Sequence, residues 1–266
     1  MTLVSPTASL RANNAAFSLS ELLMVIAIIA LLAGLVLPAL GMAKRKADAA
    51  RCVANMKQLQ LAWTLYYGDH DDRITRNLMG ASLSQTNQSW CSGWMRPGEP
   101  RSDDSFANPA YFMNAQLGSY ALDARLFKCP SDKFVFPGLS QPYIRSVAMN
   151  NWMNGSRQPA GLPSAYSVFR RVTDMARPGE MFVFIHEDPN SIDDGYYAMD
   201  MSTPHTFDNC NLAAARHNGG TSMGFADGRA EIHRWEQTVV SKGVRRHSEN
   251  SAEDAIWLKL RTCEPR

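Results

Sequence analysis

A long apolar segment near the start of the chain is the first feature of the hydrophobic pattern. Leu22 to Ala43 carries no charged side chain over 22 residues. At a rise of about 1.5 Å per residue, a helix of this length is about 33 Å long and can cross a bilayer core of about 30 Å. The segment therefore predicts a membrane-spanning helix.

A second pattern continues directly from the first. Apolar residues recur after the span at alternating spacings of four and three, which places them on one face of a helix. These residues are Cys52, Met56, Leu59, Trp63 and Tyr66. Gly68 and the acidic turn that follows end the pattern. We expect one helix from about residue 17 to residue 67, kinked near Gly34 and Pro38 because proline removes an internal hydrogen bond.

The rest of the chain has the pattern of a β-rich domain. Residues 77–119 are rich in Ser, Asn, Gly and Pro, which predicts a long loop with short elements. Strand-like segments follow at 145–149, 181–186, 196–201, 221–226 and 229–235. Asp227-Gly228 separates the last two segments, which is a strong hairpin signal. The predicted fold class is α+β, with a long N-terminal membrane-spanning helix packed on a meandering antiparallel β-sheet.

Length and charge narrow the function classes. A chain of 266 residues with 45% hydrophobic residues can form one good-sized domain and an extra element. Its formal net charge is +2, and its Lys and Arg residues are scattered apart from the run at 44–46. No basic face for nucleic acid follows from this distribution, so nucleic acid is not among the predicted partners.

A cleavable secretory signal is the alternative interpretation of the apolar segment. Residues 41–43 have the small-x-small form of a cleavage site, and the mature chain would then begin at Lys44. Against it, the apolar core exceeds the usual length, Arg11 is the one positive residue of the leader, and Glu21 abuts the core. The basic run at 44–46, taken alone, would be placed in the cytoplasm by the positive-inside rule. This conflicts with an extracytoplasmic domain after the span, and the leader motif described next outweighs it.

The residues that precede the span resemble a known processing motif. Residues 16–30, AFSLSELLMVIAIIA, are similar to the cleavage and methylation motif of type IV prepilins and type II secretion pseudopilins. The resemblance implies that a prepilin peptidase cuts between Ala16 and Phe17 and methylates the new amino terminus. Glu21 then becomes the fifth mature residue, and Pro38 falls where many members kink the helix. The family usually has Gly at the position of Ala16.

A second resemblance lies near the C-terminus. His217, Gly219, Gly220, Asp227 and Gly228 belong to a His-x9-Asp-Gly pattern. It is similar to the C-terminal signature of prepilin-like families of planctomycetes, as are the segments at 127–132 and 184–197. The resemblance therefore extends from the leader to the C-terminal part of the chain.

Together the resemblances imply a pilin-like organisation. They predict a leader at 1–16, a long helix at 17–68 with its span at about 22–43, and a β-rich domain at 69–266. The chain is then a single-pass inner-membrane protein whose C-terminal domain lies outside the cytoplasm. The implied partners are the prepilin peptidase, other pilin-like subunits and membrane lipid. The implied function is that of a pseudopilin or minor pilin-like assembly subunit without enzymatic activity.

Glu21 stands at the edge of the predicted span. A charged residue at the bilayer centre costs about 2.5 to 3.5 kcal/mol on insertion scales, so this carboxylate needs a partner or water. The family precedent supplies the amino terminus of Phe17 in a neighbouring subunit, which would fix the register between packed helices. The competing interpretation is a Glu that faces water, and the surrounding motif favours pairing.

An acidic loop is the strongest candidate in the sequence for binding a cation. Asp188, Asp193 and Asp194 carry oxygen atoms suited to Ca²⁺, although the EF-hand pattern is not present in the sequence. The competing interpretation is that these side chains cap local backbone groups. We expect the latter, and therefore no cofactor.

The five cysteines are widely spaced along the chain, at positions 52, 91, 129, 210 and 263. Their spacing argues against zinc, and their odd number leaves at least one unpaired. An extracytoplasmic location permits disulfides. We expect a Cys91–Cys129 disulfide that joins the long loop to the sheet and stabilises the fold by about 3 to 4 kcal/mol.

Two other functions stay open. One is an anchored enzyme or ligand-binding protein that uses the leader only for export, which requires His186, Asp188, His217 and Asp227 to share a pocket. The other is an anchored surface protein that never polymerises.

We expect His217 and Asp227 to lie at opposite ends of one strand, roughly 20 Å long. Asp227 would then accept backbone N–H groups, and His217 would bond a neighbouring loop such as that of Asp188.

We predict cleavage between Ala16 and Phe17, because the positions of Phe17 and Glu21 match the motif although Gly is replaced by Ala16. Intact-mass and N-terminal analysis of protein from native membranes should show a chain that begins with methylated Phe17. A mature start at Lys44 would contradict the pilin-like interpretation, and an uncut leader would show that the peptidase does not tolerate Ala16.

Overall fold

A computed structural model describes residues 18–100, 102–155 and 166–265 of the chain. The two residues of the predicted cleavage site, Ala16 and Phe17, lie outside these ranges. The chain divides after Lys44 into two compact units, and each is described by itself.

One helix dominates the N-terminal part. Helix α1 covers Leu19–Gly68, 50 residues, which confirms the predicted long helix, and it continues through Pro38. Up to Lys44 its side chains are largely exposed, with Leu31 at 68% and Leu35 at 70%. Among the described residues, α1 is the one helix that is long and apolar enough to span a membrane, with a mean hydropathy of 2.9 in its apolar stretch.

The second part of α1 belongs to the folded domain and buries one face. All five apolar residues of the predicted stripe are buried: Cys52, Met56, Leu59, Trp63 and Tyr66. Gln60 is buried with them, which the apolar pattern did not indicate. Its amide Nε2 donates to the backbone oxygen of Phe225, and its side chain lies against Gly224. A Cβ at Gly224 would come within 2.7 Å of the Gln60 side chain, so Gly permits this close approach.

The domain contains a five-stranded sheet. Its strands are β1 (Val147–Asn150), β2 (Phe182–His186), β3 (Tyr196–Tyr197), β4 (Gly220–Phe225) and β5 (Ala230–Arg234). The spatial order is β3-β1-β2-β4-β5. The pairs β1–β2, β2–β4 and β4–β5 are antiparallel, whereas β3 is parallel to β1. The α+β fold class is confirmed, but the sheet is mixed and not the antiparallel meander that the sequence predicted.

The strand predicted at 196–201 ends early, at Tyr197. Beyond it, the backbone N–H of Ala198 donates to Oδ1 of Asn211 at 3.2 Å, and that of Met199 donates to Oδ1 of Asn151 at 3.1 Å. Side-chain amides therefore take the hydrogen bonds that a neighbouring strand would supply. The pattern of apolar residues does not show that side-chain amides replace the strand–strand hydrogen bonds here.

The loop at 77–119 carries short elements, as predicted. These are 3-10 helices at Leu83–Gln88 and Asp104–Phe106, helix α2 at Ala110–Met113, and helix α3, which begins in the loop and covers Gly118–Ala121. Further 3-10 helices follow at Ala124–Phe127 and Val172–Asp174. The loop also supplies core residues, among them Trp90 and Phe112, which are at most 1% exposed. It is therefore part of the domain's core packing.

The β4–β5 hairpin is confirmed, but its turn differs from the predicted one. Gly228 has a φ of 87°, whereas Asp227 does not have a positive φ. The N–H of Gly228 donates to the oxygen of Phe225 at 2.9 Å, and the N–H of Phe225 donates to the oxygen of Arg229 at 2.8 Å. This pattern is typical of a three-residue loop with a left-handed Gly, and not of the two-residue turn that Asp-Gly suggests.

The C-terminal segment adds a hairpin and a helix that the sequence did not predict. Strands β6 (Thr238–Ser241) and β7 (Val244–His247) form a hairpin through Lys242 and Gly243, which have φ values of 46° and 78°. Helix α4 covers Ala252–Lys259. Both elements are short, and the exposed Val239 and Val240 in β6 obscure the alternation that would mark a strand.

Asp227 gives a test of the hairpin. Its Oδ1 accepts the backbone N–H of Arg229 at 2.9 Å, whereas its ion pair with that residue is long, at 3.8 Å, and exposed. Asp227→Ala should lower the free energy of unfolding by about 1 kcal/mol, the size of one local hydrogen bond. Chemical denaturation should show that Asp227→Asn, which keeps the acceptor, is much less affected. Equal losses in both variants would contradict the hydrogen-bond explanation.

His247 gives a test of the core's pH dependence. The ring is fully buried between Phe207 and Trp235, and its Nδ1 donates to the oxygen of Ser248 at 3.2 Å. Burial lowers the pKa of His247 to about 4. The folded protein therefore holds a neutral imidazole, while the unfolded chain takes up a proton as the pH falls below about 6.5. This contribution to stability is lost from about pH 6.5 down to about pH 4, by at most about 3 kcal/mol.

Denaturation across this pH range should give a flatter stability profile for His247→Phe than for the unaltered protein. His205→Phe, at an exposed site, is the matched control and should keep the original profile. A His247→Phe profile as steep as the original would show that this imidazole does not carry the pH dependence.

Candidate functional site

Glu21 lies in the first turn of α1 and forms a reciprocal pair with Ser18. Its Oε2 accepts the backbone N–H of Ser18 at 2.9 Å and the Ser18 hydroxyl at 2.6 Å. The Ser18 hydroxyl accepts the backbone N–H of Glu21 at 3.3 Å. This arrangement is a capping box, which satisfies two N–H groups at the start of a helix. Both residues are exposed, so the carboxylate is accessible to another molecule.

The three acidic residues proposed for calcium lie between β2 and β3. Asp188 and Asp193 each accept a backbone N–H from one or two residues further along, at 3.0 and 2.8 Å. Asp194 accepts the N–H of Gly80 at 2.6 Å and that of Tyr196 at 2.7 Å, and burial raises the pKa of Asp194 to about 7. These contacts support the capping interpretation, and calcium binding stays an untested alternative.

His217 and Asp227 lie at opposite ends of β4, as expected. His217 and Gly220 exchange backbone hydrogen bonds at 3.1 and 3.2 Å across a tight turn. Asn218 and Gly219 form that turn with φ values of 55° and 82°. The imidazole does not bond the loop of Asp188, as the sequence had suggested. Its Nε2 lies 3.3 Å from Sγ of Cys129.

The predicted Cys91–Cys129 disulfide is not formed. All five cysteines are free thiols, and Sγ of Cys129 lies 3.5 Å from Sγ of Cys52. Cys52, Cys129 and His217 therefore meet in one buried cluster, which we name the thiol–imidazole cluster. Within the described ranges, it is the one group of three His, Cys, Asp or Glu residues whose ligand atoms all lie within 4.8 Å of one another.

Three parts of the fold bring the cluster together. Cys52 lies on the buried face of α1, and His217 is held by the turn before β4. Cys129 follows the 3-10 helix at Ala124–Phe127, and its backbone N–H donates to Oγ of Ser146 at 2.8 Å. The members of the cluster are at most 8% exposed, so the domain core surrounds them.

Two basic residues and one acidic residue lie beside the cluster. Asp132 is buried and lies 2.8 Å from Nζ of Lys128 and 3.2 Å from Nη2 of Arg216. The Cys52 thiol donates to Cys129, and this hydrogen bond holds the pKa of the Cys129 thiol well below its usual value. His217 and the positive charge of Arg216 lower it further. The same contact raises the pKa of Cys52.

His186 lies beside the cluster at the end of β2. Its Nδ1 is 2.9 Å from Oγ of Ser146, the hydroxyl that also accepts the N–H of Cys129. Its Nε2 is buried and has no hydrogen-bond partner among the described residues. Burial lowers the pKa of His186 to about 4, so its imidazole is neutral at pH 7.

Sequence reasoning identified the leader and missed the cluster. Cys52 is 77 residues from Cys129, which is 88 residues from His217, so no local spacing marks the group. The two available signals were the place of Cys52 in the apolar stripe and the place of His217 beside a Gly-rich turn. Neither signal shows that Cys52 and His217 come together in the fold.

Comparison with known proteins supports the leader. Residues 11–37 match the family model of the prokaryotic N-terminal methylation motif. The match covers 27 of 266 residues, so it identifies a type IV prepilin-like leader and leaves the domain unassigned. Neither the curated proteins nor the solved structures compared with this chain give a match. The motif and the apolar part of α1 together indicate membrane anchoring.

Proposed function

We propose that this chain is a membrane-anchored, pilin-like assembly subunit, a pseudopilin or minor pilin of a type II secretion or type IV pilus-like system. A prepilin peptidase removes the leader before Phe17, and the apolar part of α1 packs among the helices of other pilin-like subunits. The domain from Arg45 onward lies outside the cytoplasm.

The observation that carries the proposal is the methylation motif at residues 11–37 together with Glu21. Within the apolar helix, a carboxylate is expensive unless a positive group or water meets it. Cleavage before Phe17 would create a positive amino terminus four residues from Glu21 in sequence. Between adjacent subunits, that amine can pair with the carboxylate and fix the relative height of the two helices.

The surface of α1 supports packing against lipid or other helices. Its side chains from Leu22 to Leu40 are largely exposed within the single chain, including Leu22 at 53% and Leu37 at 66%. An apolar surface of this extent marks a membrane or protein contact. Contact with lipid alone would cover this apolar surface, so the surface supports membrane anchoring. Glu21 is the residue of the helix that supports assembly.

The anchored-enzyme alternative depends on four residues in one pocket. His186 and His217 lie near one another in the buried core, but Asp227 is exposed at the other end of β4. Asp188 is buried and caps its own loop. This separation does not favour a shared catalytic pocket for the four residues, and the assembly function is the better supported proposal.

Glu21→Val should strongly reduce subunit pairing while leaving the membrane anchor in place. We predict that cross-linked oligomers, captured in native membranes and resolved by mass, fall at least tenfold in this variant because the amine loses its carboxylate partner. Ser20→Ala, which changes the adjacent exposed position, is the matched control and should cross-link as the unaltered chain does.

Membrane fractionation of the same samples separates assembly from anchoring. Both variants should remain in the membrane, since the apolar segment is unchanged. Oligomers that persist in Glu21→Val would contradict the role of the carboxylate. An unaltered chain that is anchored but gives no cross-linked pilin-like partner would identify the non-polymerising surface protein instead.

A further inference from the structure

The thiol–imidazole cluster has the spacing of a metal site. Sγ of Cys52 and Sγ of Cys129 are 3.5 Å apart, and Sγ of Cys129 is 3.3 Å from Nε2 of His217. Tetrahedral zinc, with Zn–S of about 2.3 Å and Zn–N of about 2.0 to 2.1 Å, sets its ligands about 3.8 Å (S to S) and about 3.6 Å (S to N) apart. A disulfide requires about 2.05 Å between the sulfurs. The observed distances are close to the zinc values.

We propose that Cys52, Cys129 and His217 bind a zinc ion, and that the ring of His186, which lies outside the group within 4.8 Å, shifts to bring Nε2 to the metal as the fourth ligand. The three side chains present two sulfurs and one ring nitrogen in a buried position, which is the ligand chemistry of a zinc site. A buried ring nitrogen usually has a hydrogen-bond partner, yet Nε2 of His186 has none among the described residues, and the same is true of His233 and His247. His186 is distinguished from these two because it contacts the Ser146 hydroxyl that also accepts the N–H of Cys129. A metal ion would satisfy Nε2 of His186.

Ser146 contacts Nδ1 of His186, which leaves Nε2 as the free ring nitrogen. Its backbone oxygen lies 3.3 Å from Nδ1 of His186, and its hydroxyl lies 2.9 Å from the same atom. A proton on Nδ1 leaves the lone pair on Nε2. Ligating histidines usually donate their other ring N–H to such a partner. The same hydroxyl accepts the N–H of Cys129, so Ser146 contacts two of the four proposed ligands.

The charge of the proposed centre suits its burial. Two thiolates balance the charge of Zn²⁺, and two neutral imidazoles add none, so the centre carries no net charge into the core. Nearby, Asp132 lies 3.2 Å from Arg216 and 2.8 Å from Lys128, so one carboxylate faces two cations. The acidic loop offers no such set of sulfur and nitrogen ligands.

Four protein ligands make this a structural centre. Structural zinc sites are closed by four protein ligands, whereas catalytic sites keep a position for water. The ion would join α1 to the turn before β4 and to the segment that follows Phe127. Its role concerns the stability of the domain, so it goes beyond the proposed assembly function and is independent of leader processing.

The first test is the metal content of the full-length chain, purified in detergent with reductant and without chelator. Mass spectrometry of the metals should find one zinc per chain. Cys52→Ser, Cys129→Ser and His217→Gln should each reduce zinc occupancy at least tenfold. Cys91→Ser is the matched control, because Cys91 is also buried, at 1% exposure, but lies outside the cluster, and it should retain the ion.

Cobalt loading of the unaltered chain tests the site even where a variant fails to fold. The unaltered chain, stripped with chelator and reloaded with Co²⁺, should develop the sulfur-to-cobalt charge-transfer band and the intense visible bands of tetrahedral coordination. His186→Gln should weaken the visible bands and lower cobalt affinity at least tenfold. An unchanged cobalt spectrum in that variant would overturn the four-ligand geometry.

Counting free thiols distinguishes the proposed zinc site from a disulfide between Cys52 and Cys129. A second preparation, purified without reductant and then denatured with chelator, should titrate five thiols, the number of the chain's cysteines. A count of three, with peptide mapping that joins Cys52 to Cys129, would overturn the zinc proposal in favour of a disulfide. Five thiols without stoichiometric zinc and without the cobalt bands would overturn it as well.

Discussion

The structure depends on one helix that must satisfy two environments. The first part of α1 exposes apolar side chains such as Leu35, which is 70% exposed, and the second part buries one face, including Trp63, which is fully buried. A helix meets both requirements because its backbone hydrogen bonds are internal and do not depend on the surroundings. The sequence separates the two parts by composition, with an unbroken apolar run first and a periodic stripe afterwards.

Patterns that repeat locally predicted the helix and most of the sheet. The spacing from Cys52 to Tyr66 located the buried face, and the hairpin around Asp227 was recognised from its turn residues. The remaining differences arise from contacts distant in sequence. β3 is short because the side chains of Asn151 and Asn211 accept hydrogen bonds from the chain that follows it. Hydrogen bonds of this kind depend on the fold and leave no periodic signal in the sequence.

The two candidate sites differ in predictability for the same reason. The leader motif is a continuous segment, so its residue types and spacing are readable directly, and the family model matches it. The thiol–imidazole cluster joins residues 77 and 88 positions apart through α1, a loop and a turn. The sequence argued against zinc by spacing, and it paired Cys129 with Cys91 although the fold brings Cys129 to Cys52. Spatial convergence requires the topology of the sheet.

The central claim is that the exposed part of α1 packs against the helices of other pilin-like subunits. Photo-cross-linking in living cells tests it most directly, with a photoreactive residue placed at Leu31 or Leu35, which are 68% and 70% exposed in the single chain. The account predicts cross-links to the apolar N-terminal helix of a second pilin-like subunit, identified by peptide mass. Cross-links confined to lipid at both positions would contradict it.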